Sequence, residues 1–279
     1  MKTWFITGAS RGFGALVTER ALAKGDAVVA TARNPNAITE RFGEHPNLLA
    51  VALDVTSDEQ ALTASKAAID RFGRIDILLN NAGFGLMGAV EEASAAEIEA
   101  VYRTNVFGLL TVARAVLPYM RKARSGRILN ISSIGGYRGT AGFGVYSSTK
   151  FAVEGLSEAL HDELVSLGIH VTAVEPGYFR TDFLGPSSLA VSPTRIADYD
   201  GTAGKVRTIA ADLSHNQPGD PAKLADVLVT FVDVPNPPVR LPLGSDAVAA
   251  IEKKHETDRA ILAEWRTVAT STDVADRSS

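Results

Sequence analysis

Tyr146 and Lys150, in the stretch YSSTK, are the two residues of this chain best placed by spacing to do chemistry together. They open a helix-like run, FAVEGLSEALHDELVSLG, and residues four apart share one helix face. An unperturbed phenol titrates near 10 and is a poor acid or base at neutral pH, but a neighbouring ammonium favours its phenolate. Any helix can carry such a pair by chance, so its meaning depends on what else the chain brings to it. The stretch TGASRGFG, Thr7 to Gly14, has another chemistry. Its glycines, Gly8, Gly12 and Gly14, stand between a strand-like run and a helix-like one, with Ser10, Arg11 and Phe13 completing the turn. Glycines there permit a tight turn and a close approach of pyrophosphate, whose oxygens meet the free amides of the helix N-terminus. The spacing is G-x-x-x-G-x-G rather than the commoner G-x-G-x-x-G, and a plain βα turn is the alternative.

The end of the second strand selects between dinucleotides. A fold that takes NAD places an acid there, about 20 residues past the glycines, for the ribose hydroxyls. This chain has Ala32 and Arg33, and Asp26 lies at the wrong end of the strand. Arg33 and Arg11 are charge-assisted donors suited to an adenosine 2′-phosphate, so NADP(H) is expected over NAD(H). The alternative for Arg33 is a solvated surface charge.

The elements that must position these residues read as repeated βα units. TWFIT, DAVVATAR, LLAVALDV, IDILLNN, GRILNIS and IHVTAVEP are short and nearly continuous in apolar residues, as buried parallel strands are. The segments between them carry helix punctuation: Gly25 and Gly73 as stops, and Ser57 with Gln60 and Ser94 with Glu97 as capping boxes. The run from Ser94 to Met120 reads as one helix containing Asn105. The expected fold is α/β: a single-domain, Rossmann-type, doubly wound parallel sheet of about seven strands with helices on both faces, over residues 1–267. Pattern weakens at about 183–217, which is expected to be a substrate loop or lid. Clear helix resumes at PAKLADVLVTFVDV, VRLPLG is a final strand, SDAVAAIEKKHETDRAILAEWR a closing helix, and 268–279 a frayed polar tail.

Bulk properties exclude several classes. With 28 basic and 32 acidic residues the net charge is −4, so a nucleic-acid partner or an anionic membrane surface is not expected. The absence of cysteine excludes disulfides, thiolate metal sites and a cysteine nucleophile. His161 and His170 lack metal-ligand spacing with other histidines or acids, and no metal is expected. No segment has about 18 uninterrupted apolar residues and the N-terminus does not read as a secretory signal, so a soluble cytoplasmic protein without a membrane span is expected.

TGASRGFG, NNAG at 80–83, Asn105, Ser133, YSSTK and the PG at 176–177 stand in an order and at intervals that resemble the classical short-chain dehydrogenases/reductases, closely over about Lys2 to Thr181 and loosely beyond. The resemblance implies a catalytic set of Asn105, Ser133, Tyr146 and Lys150. Ser133 rather than Ser132 is selected because the family's serine lies thirteen residues before the tyrosine. Tyr146 would exchange a proton with a carbonyl or alcohol oxygen held by Ser133. Lys150 would bind the nicotinamide ribose and lower the tyrosine pKa. Moving a phenol from about 10 to about 7 needs roughly 4 kcal/mol, and an ammonium about 4 Å away at an effective dielectric of 20 supplies roughly that much. Asn105 would bend its helix and help hold a proton-relaying water; a helix asparagine bonded to its own turn is the alternative.

The resemblance also implies cofactor contacts. Asp54 and Val55 would meet the adenine, Asn81, Ala82 and Gly83 its ribose side, and Pro176, Gly177 and Thr181 would cover the nicotinamide, Thr181 bonding its carboxamide, with Tyr146 and Lys150 at the reacting end. Asp54 also suits a helix-capping role. Phe84, Tyr137, Phe143, Tyr178, Phe179 and Phe183 follow strands, where the family builds its substrate pocket, and argue together for an apolar one. GFGLMGAVEE, GYFRTDF and the closing helix are most similar to the hydroxysteroid and retinol dehydrogenase branch, which suggests a bulky apolar ketone or alcohol. A homodimer or homotetramer built on HDELVSLG and the helix from Ser94 follows by the same analogy. The expected activity is an NADP(H)-dependent oxidoreductase moving a hydride between nicotinamide and a ketone or secondary alcohol. The alternative is a non-catalytic, NADP(H)-sensing regulatory protein of the same fold. Epimerase and dehydratase relatives differ in glycine spacing and carry a longer C-terminal region.

Overall fold

The computed structural model describes residues 1–213 and 216–274. In chain order its strands are β1 (Thr3–Thr7), β2 (Ala27–Ala32), β3 (Leu48–Ala52), β4 (Ile77–Asn80), β5 (Gly85–Met87), β6 (Gly126–Ile131), β7 (Ile169–Pro176), β8 (Leu189–Val191) and β9 (Arg240–Leu243). Its helices are α1 (Gly12–Ala23), α2 (Asn36–Phe42), α3 (Asp58–Phe72), α4 (Ala95–Tyr102), α5 (Leu109–Ala123), α6 (Gly144–Leu164), α7 (Lys205–Leu213), α8 (Pro221–Phe231) and α9 (Ser245–Thr270). Seven strands pair in the order β3-β2-β1-β4-β6-β7-β9, all parallel. The connections run outward in opposite directions from β1 and β4, which opens a crevice at the carboxyl ends of those strands.

Alternation within β1 builds both faces of the core. Trp4 and Ile6 join Val17 and Ala21 of α1 and Leu224 and Leu228 of α8 in one apolar cluster. Phe5 joins Ala61 and Ala64 of α3 and Val112 and Val116 of α5 in the other. The fold is therefore the doubly wound, Rossmann-type sheet that the sequence predicts, with helices on both faces.

Several local expectations are corrected. Ser57 Oγ accepts from Gln60 N at 3.3 Å, but the Gln60 side chain accepts from Asp54 N at 2.7 Å, so only half of that capping box forms. The Ser94–Glu97 box is complete. The run from Ser94 is α4 and α5 joined by a wider, π-helical turn at Arg103–Gly108. A Cβ on Gly108 would lie 2.6 Å from Val55 Cγ2, so glycine lets this turn press against the loop after β3. Helix α2 and the parallel pair β5–β8 have no counterpart in the sequence reading. Of the expected frayed tail, Val268–Thr270 belong to α9, and 275–279 lie outside the described residues.

The 183–217 segment, of which 214 and 215 lie outside the described residues, is tied to the body along its length. Its β8 pairs with β5 through Gly85–Leu189, Leu86–Ala190 and Met87–Val191. Farther on, Ile196 N and both terminal nitrogens of Arg207 donate to the buried carboxylate of Glu92.

Candidate active site

A cavity of about 850 Å³ opens at the carboxyl ends of the strands, between the Gly8–Gly14 turn, the head of α6 and the 183–217 segment. Its first wall is the turn itself. Gly8 and Gly12 take φ of +66° and +54°, and a Cβ on Gly14 would sit 2.4 Å from Gly8 O. No side chain caps the N-terminus of α1, so its first amides are free donors at the cavity wall. Asn81 braces the turn, its Nδ2 donating to Thr7 O and Gly8 O at 2.9 and 3.0 Å.

Arg33 and Asp54 line the far end of this wall, beyond β2 and β3, with Val55 beside them. The Asp54 carboxylate accepts from Thr56 N and Oγ1 at 2.9 and 2.8 Å. The backbone bond holds its pKa below the usual value, and the Arg33 charge acts in the same direction. Asp54 thus makes a local turn before α3, while Ser57 is the cap. Arg11 lines the cavity as well, and its guanidinium donates to Ser187 O, joining the turn to the 183–217 segment.

The opposite end holds Tyr146, Lys150, Ser132 and Ser133. Tyr146 and Lys150, one turn apart on α6, are 7% and 6% exposed, which decides how each titrates. Burial pushes the Tyr146 phenol above its ordinary value, with a hydrogen bond from Ser133 opposing, and lowers Lys150 to about 8 against the pull of Glu154. Lys150 Nζ donates to Ile131 O at 2.7 Å and stands 5.8 Å from the centre of the Tyr146 ring. Ser133 caps the short turn Ile134–Gly136 through Gly135 N, and both Ser132 and Ser133 line the cavity.

Asn105 sits in the π-helical turn, its Oδ1 accepting from Phe84 N at 3.0 Å and its Nδ2 donating to Phe84 O and Thr149 Oγ1 at 2.9 and 3.2 Å. Its bonds cross to the β4–β5 loop and α6 rather than closing on its own turn. Gly83 permits this, since a Cβ there would stand 3.0 Å from Asn105 Oδ1.

Aromatic rings surround the phenol. Phe143 and Phe183 stand 6.2 and 5.6 Å from the Tyr146 ring centre, and Met87, Leu189 and Ala210 close the same apolar cluster. Phe84, Ala82, Gly83, Pro176, Gly177, Tyr178, Phe179 and Thr181 line the cavity too. Tyr137 does not: its hydroxyl bonds His255 of α9 and Arg240 lies over its ring at 4.9 Å, so the substrate-pocket expectation is corrected there. Gln217, Ser187 and Leu189 reach the cavity from the segment of weak pattern, and no sequence signal marked them.

Comparison with known proteins fits this geometry. The family model described as short chain dehydrogenase matches residues 2–191. Oxidoreductase BOA17 of Botryotinia fuckeliana (strain B05.10) is 41% identical over 95% of this chain and 97% of its own. Retinol dehydrogenase 8 of Bos taurus is 34% identical over 86% of this chain and 80% of its own, in keeping with the hydroxysteroid and retinol dehydrogenase branch. Among solved structures, a short-chain dehydrogenase from Streptomyces avermitilis covers 98% of this chain and 100% of that chain at 40% identity and a TM-score of 0.89. ElxO with NADP bound covers 89% and 99% at 27% identity and a TM-score of 0.73. With its parallel sheet, glycine turn and buried tyrosine–lysine pair, the chain belongs to the short-chain dehydrogenase family of oxidoreductases.

Proposed function

We propose that the protein is an NADP(H)-dependent oxidoreductase that interconverts a bulky apolar ketone and its secondary alcohol. The observation that carries this reading is the meeting, in one cavity, of uncapped helix amides with Arg33 at one end and Tyr146, Ser133 and Lys150 at the other. A dinucleotide phosphate fits the first wall: glycines admit its pyrophosphate, the α1 amides offer donors, Arg33 offers a cation for the 2′-phosphate, and no acid stands at the end of β2. Asp54, Val55 and Asn81–Gly83 line the adenosine side, and Pro176, Gly177 and Thr181 the nicotinamide side.

When bound, the nicotinamide supplies or takes the hydride at the substrate carbon. The chain's own residues handle the oxygen and the proton. Ser133 Oγ donates to the substrate oxygen, and Tyr146 gives it the phenolic proton during reduction. The raised phenol suits that direction, because Tyr146 is fully protonated at neutral pH before the reaction. Lys150, mostly ammonium at pH 7 with a pKa of about 8, stabilises the phenolate left behind. Asn105 acts on position: its amide fastens the Phe84 backbone to the head of α6. Phe143, Phe183, Met87 and Leu189 keep water from the site and favour an apolar substrate, and the 183–217 segment acts as the lid. A homodimer or homotetramer built on HDELVSLG and the helices from Ser94 belongs to the same reading; Phe107, Phe151 and Val165 are exposed on these elements, and a monomeric mass in solution would remove it.

The test is NADPH oxidation across ketosteroids, retinal, long acyl ketones and small aromatic ketones, with the variants Tyr146→Phe and Arg33→Asp. Tyr146→Phe keeps NADPH binding and loses about 10²–10⁴-fold in turnover; full activity would end its role as proton donor. Arg33→Asp moves preference toward NADH, and an unchanged ratio places the 2′-phosphate elsewhere. Tight NADPH binding without turnover on any carbonyl would favour the sensing protein instead.

A further inference from the structure

The glycine turn and the 183–217 segment are joined by one side chain. Arg11 is exposed, and its Nη2 donates to Ser187 O, 176 residues along the chain. The next carbonyl, Ser188 O, accepts from Gly85 N at 2.8 Å, where the β5–β8 ladder begins. Gly85 closes the loop after β4, and that loop returns to the glycine turn through Asn81 Nδ2, which donates to Thr7 O and Gly8 O. These links form a closed ring: glycine turn, Asn81, Gly85, Ser188, Ser187, and back through Arg11. Gly8, Arg11, Asn81, Phe84, Ser187 and Ser188 all line the cavity, so the ring follows its wall between the Arg33–Asp54 end and the Tyr146–Ser133 end.

The links are of unequal strength. Asn81 is fixed to the turn by three bonds, its backbone N donating to Thr7 Oγ1 as well. The Gly85 side is a ladder of three residue pairs, and it is closely packed: a Cβ on Gly85 would stand 2.8 Å from Leu189 Cδ1 and 3.1 Å from Phe183 Cζ. The Arg11 link is a single side-chain bond between two exposed residues, which water replaces readily. Ser187 stands at the tip of a compact turn, since Ser188 N and Leu189 N both donate to Gly185 O, at 3.0 and 2.9 Å. Local opening starts where contacts are fewest, so the ring parts at Arg11 and Ser187 first. A dinucleotide reaching from one end of the cavity to the other passes through this ring, and it enters from the side only while the ring is open.

Resting on the NADP(H) reading above, we propose that Arg11 is the latch of a strap across the bound dinucleotide, and that its release from Ser187 gates cofactor entry and exit. The experiment follows nicotinamide fluorescence in a stopped-flow instrument and measures association and release rate constants for wild type and Arg11→Met. The ligands are NADPH and NADH, which lacks the 2′-phosphate. Arg11→Met is expected to raise association and release together by about 2- to 10-fold for both dinucleotides, as loss of one exposed hydrogen bond allows, with dissociation constants nearly unchanged. The thermal midpoint should stay at the wild-type value, because the residue is exposed. Faster release with unchanged association would instead make Arg11 a direct ligand, of the 2′-phosphate if confined to NADPH and of the pyrophosphate if shared with NADH. Unchanged rates throughout would place the cofactor's path outside the ring. Each of these overturns the inference, whereas a wild type that binds neither dinucleotide removes the cofactor reading itself and the inference with it.

Discussion

Glu92, Glu154 and Glu175 are carboxylates of nearly equal burial, at 2%, 2% and 1% exposed, yet their surroundings resolve the charge in opposite ways. Glu92 faces one cation and has donors on both oxygens: Ala89 N and Arg207 Nη1 on Oε2, Ile196 N and Arg207 Nη2 on Oε1. The Arg207 hydrogen bond leads in lowering its pKa to about 2. Glu154 and Glu175 share a single guanidinium, Arg240 Nη1, at 3.2 and 3.0 Å. Burial raises both, and the Glu154 charge helps bring Glu175 to about 7. One cation among two buried acids leaves the pair holding a proton near neutrality. The matched cluster is also one of the places that fasten the 183–217 segment to the body.

The largest effect is therefore expected at the matched cluster. Glu92→Ala leaves Arg207 with a buried, uncompensated charge and frees the segment that carries much of the cavity wall. The thermal midpoint should fall by several degrees and kcat/KM by about 10–100-fold, as small misplacements near reacting groups do. Glu92 has a depressed pKa, so its stabilisation is present above the unfolded value near 4.5 and is lost as pH falls toward 2. The variant lacks that acid limb; an unchanged midpoint and kcat/KM would mean the segment is held elsewhere.

The unmatched cluster has the opposite pH dependence. A folded pKa raised to about 7 against 4.5 means the folded chain binds more protons in that window, so this group lowers stability as pH rises through it. Glu175→Gln should flatten the decline between about 4.5 and 7 and stabilise the protein at pH 8 relative to wild type. Arg240→Leu should destabilise more at pH 8 than at pH 5, where Glu175 is protonated in the folded state. Equal losses at both pH values would show that Arg240 acts by packing on Tyr137 alone.

Sequence pattern located the seven strands of the main sheet, the glycine turn and the tyrosine–lysine face of α6, because buried parallel strands and helix faces have a period that local residues reveal. It did not locate β5 and β8, since three-residue strands are too short to show alternation. Tyr137 was misread because a loop aromatic after a strand has no local signal of direction, and its partners Arg240 and His255 lie more than a hundred residues on. Gln217 escaped for the converse reason: NQPGD reads as an exposed turn, and only its pairing with Tyr178–Arg180 buries the amide.

Glu158 gives the smallest and most discriminating test. Its carboxylate meets Arg240 at 2.9 Å, shorter than the contacts to Glu154 and Glu175, so distance alone would rank it the strongest partner. Its side chain is 51% exposed, however, against 3% and 1% for the other two, and solvent screens what the short distance offers. Glu158→Gln is expected to change stability by no more than about 0.5 kcal/mol in denaturant titrations. Its coupling to Arg240 in a double-mutant cycle should likewise stay below that of Glu154. A coupling above about 1 kcal/mol would mean that Arg240 is anchored at the surface, and the buried pair would then be still shorter of positive charge than one shared guanidinium implies.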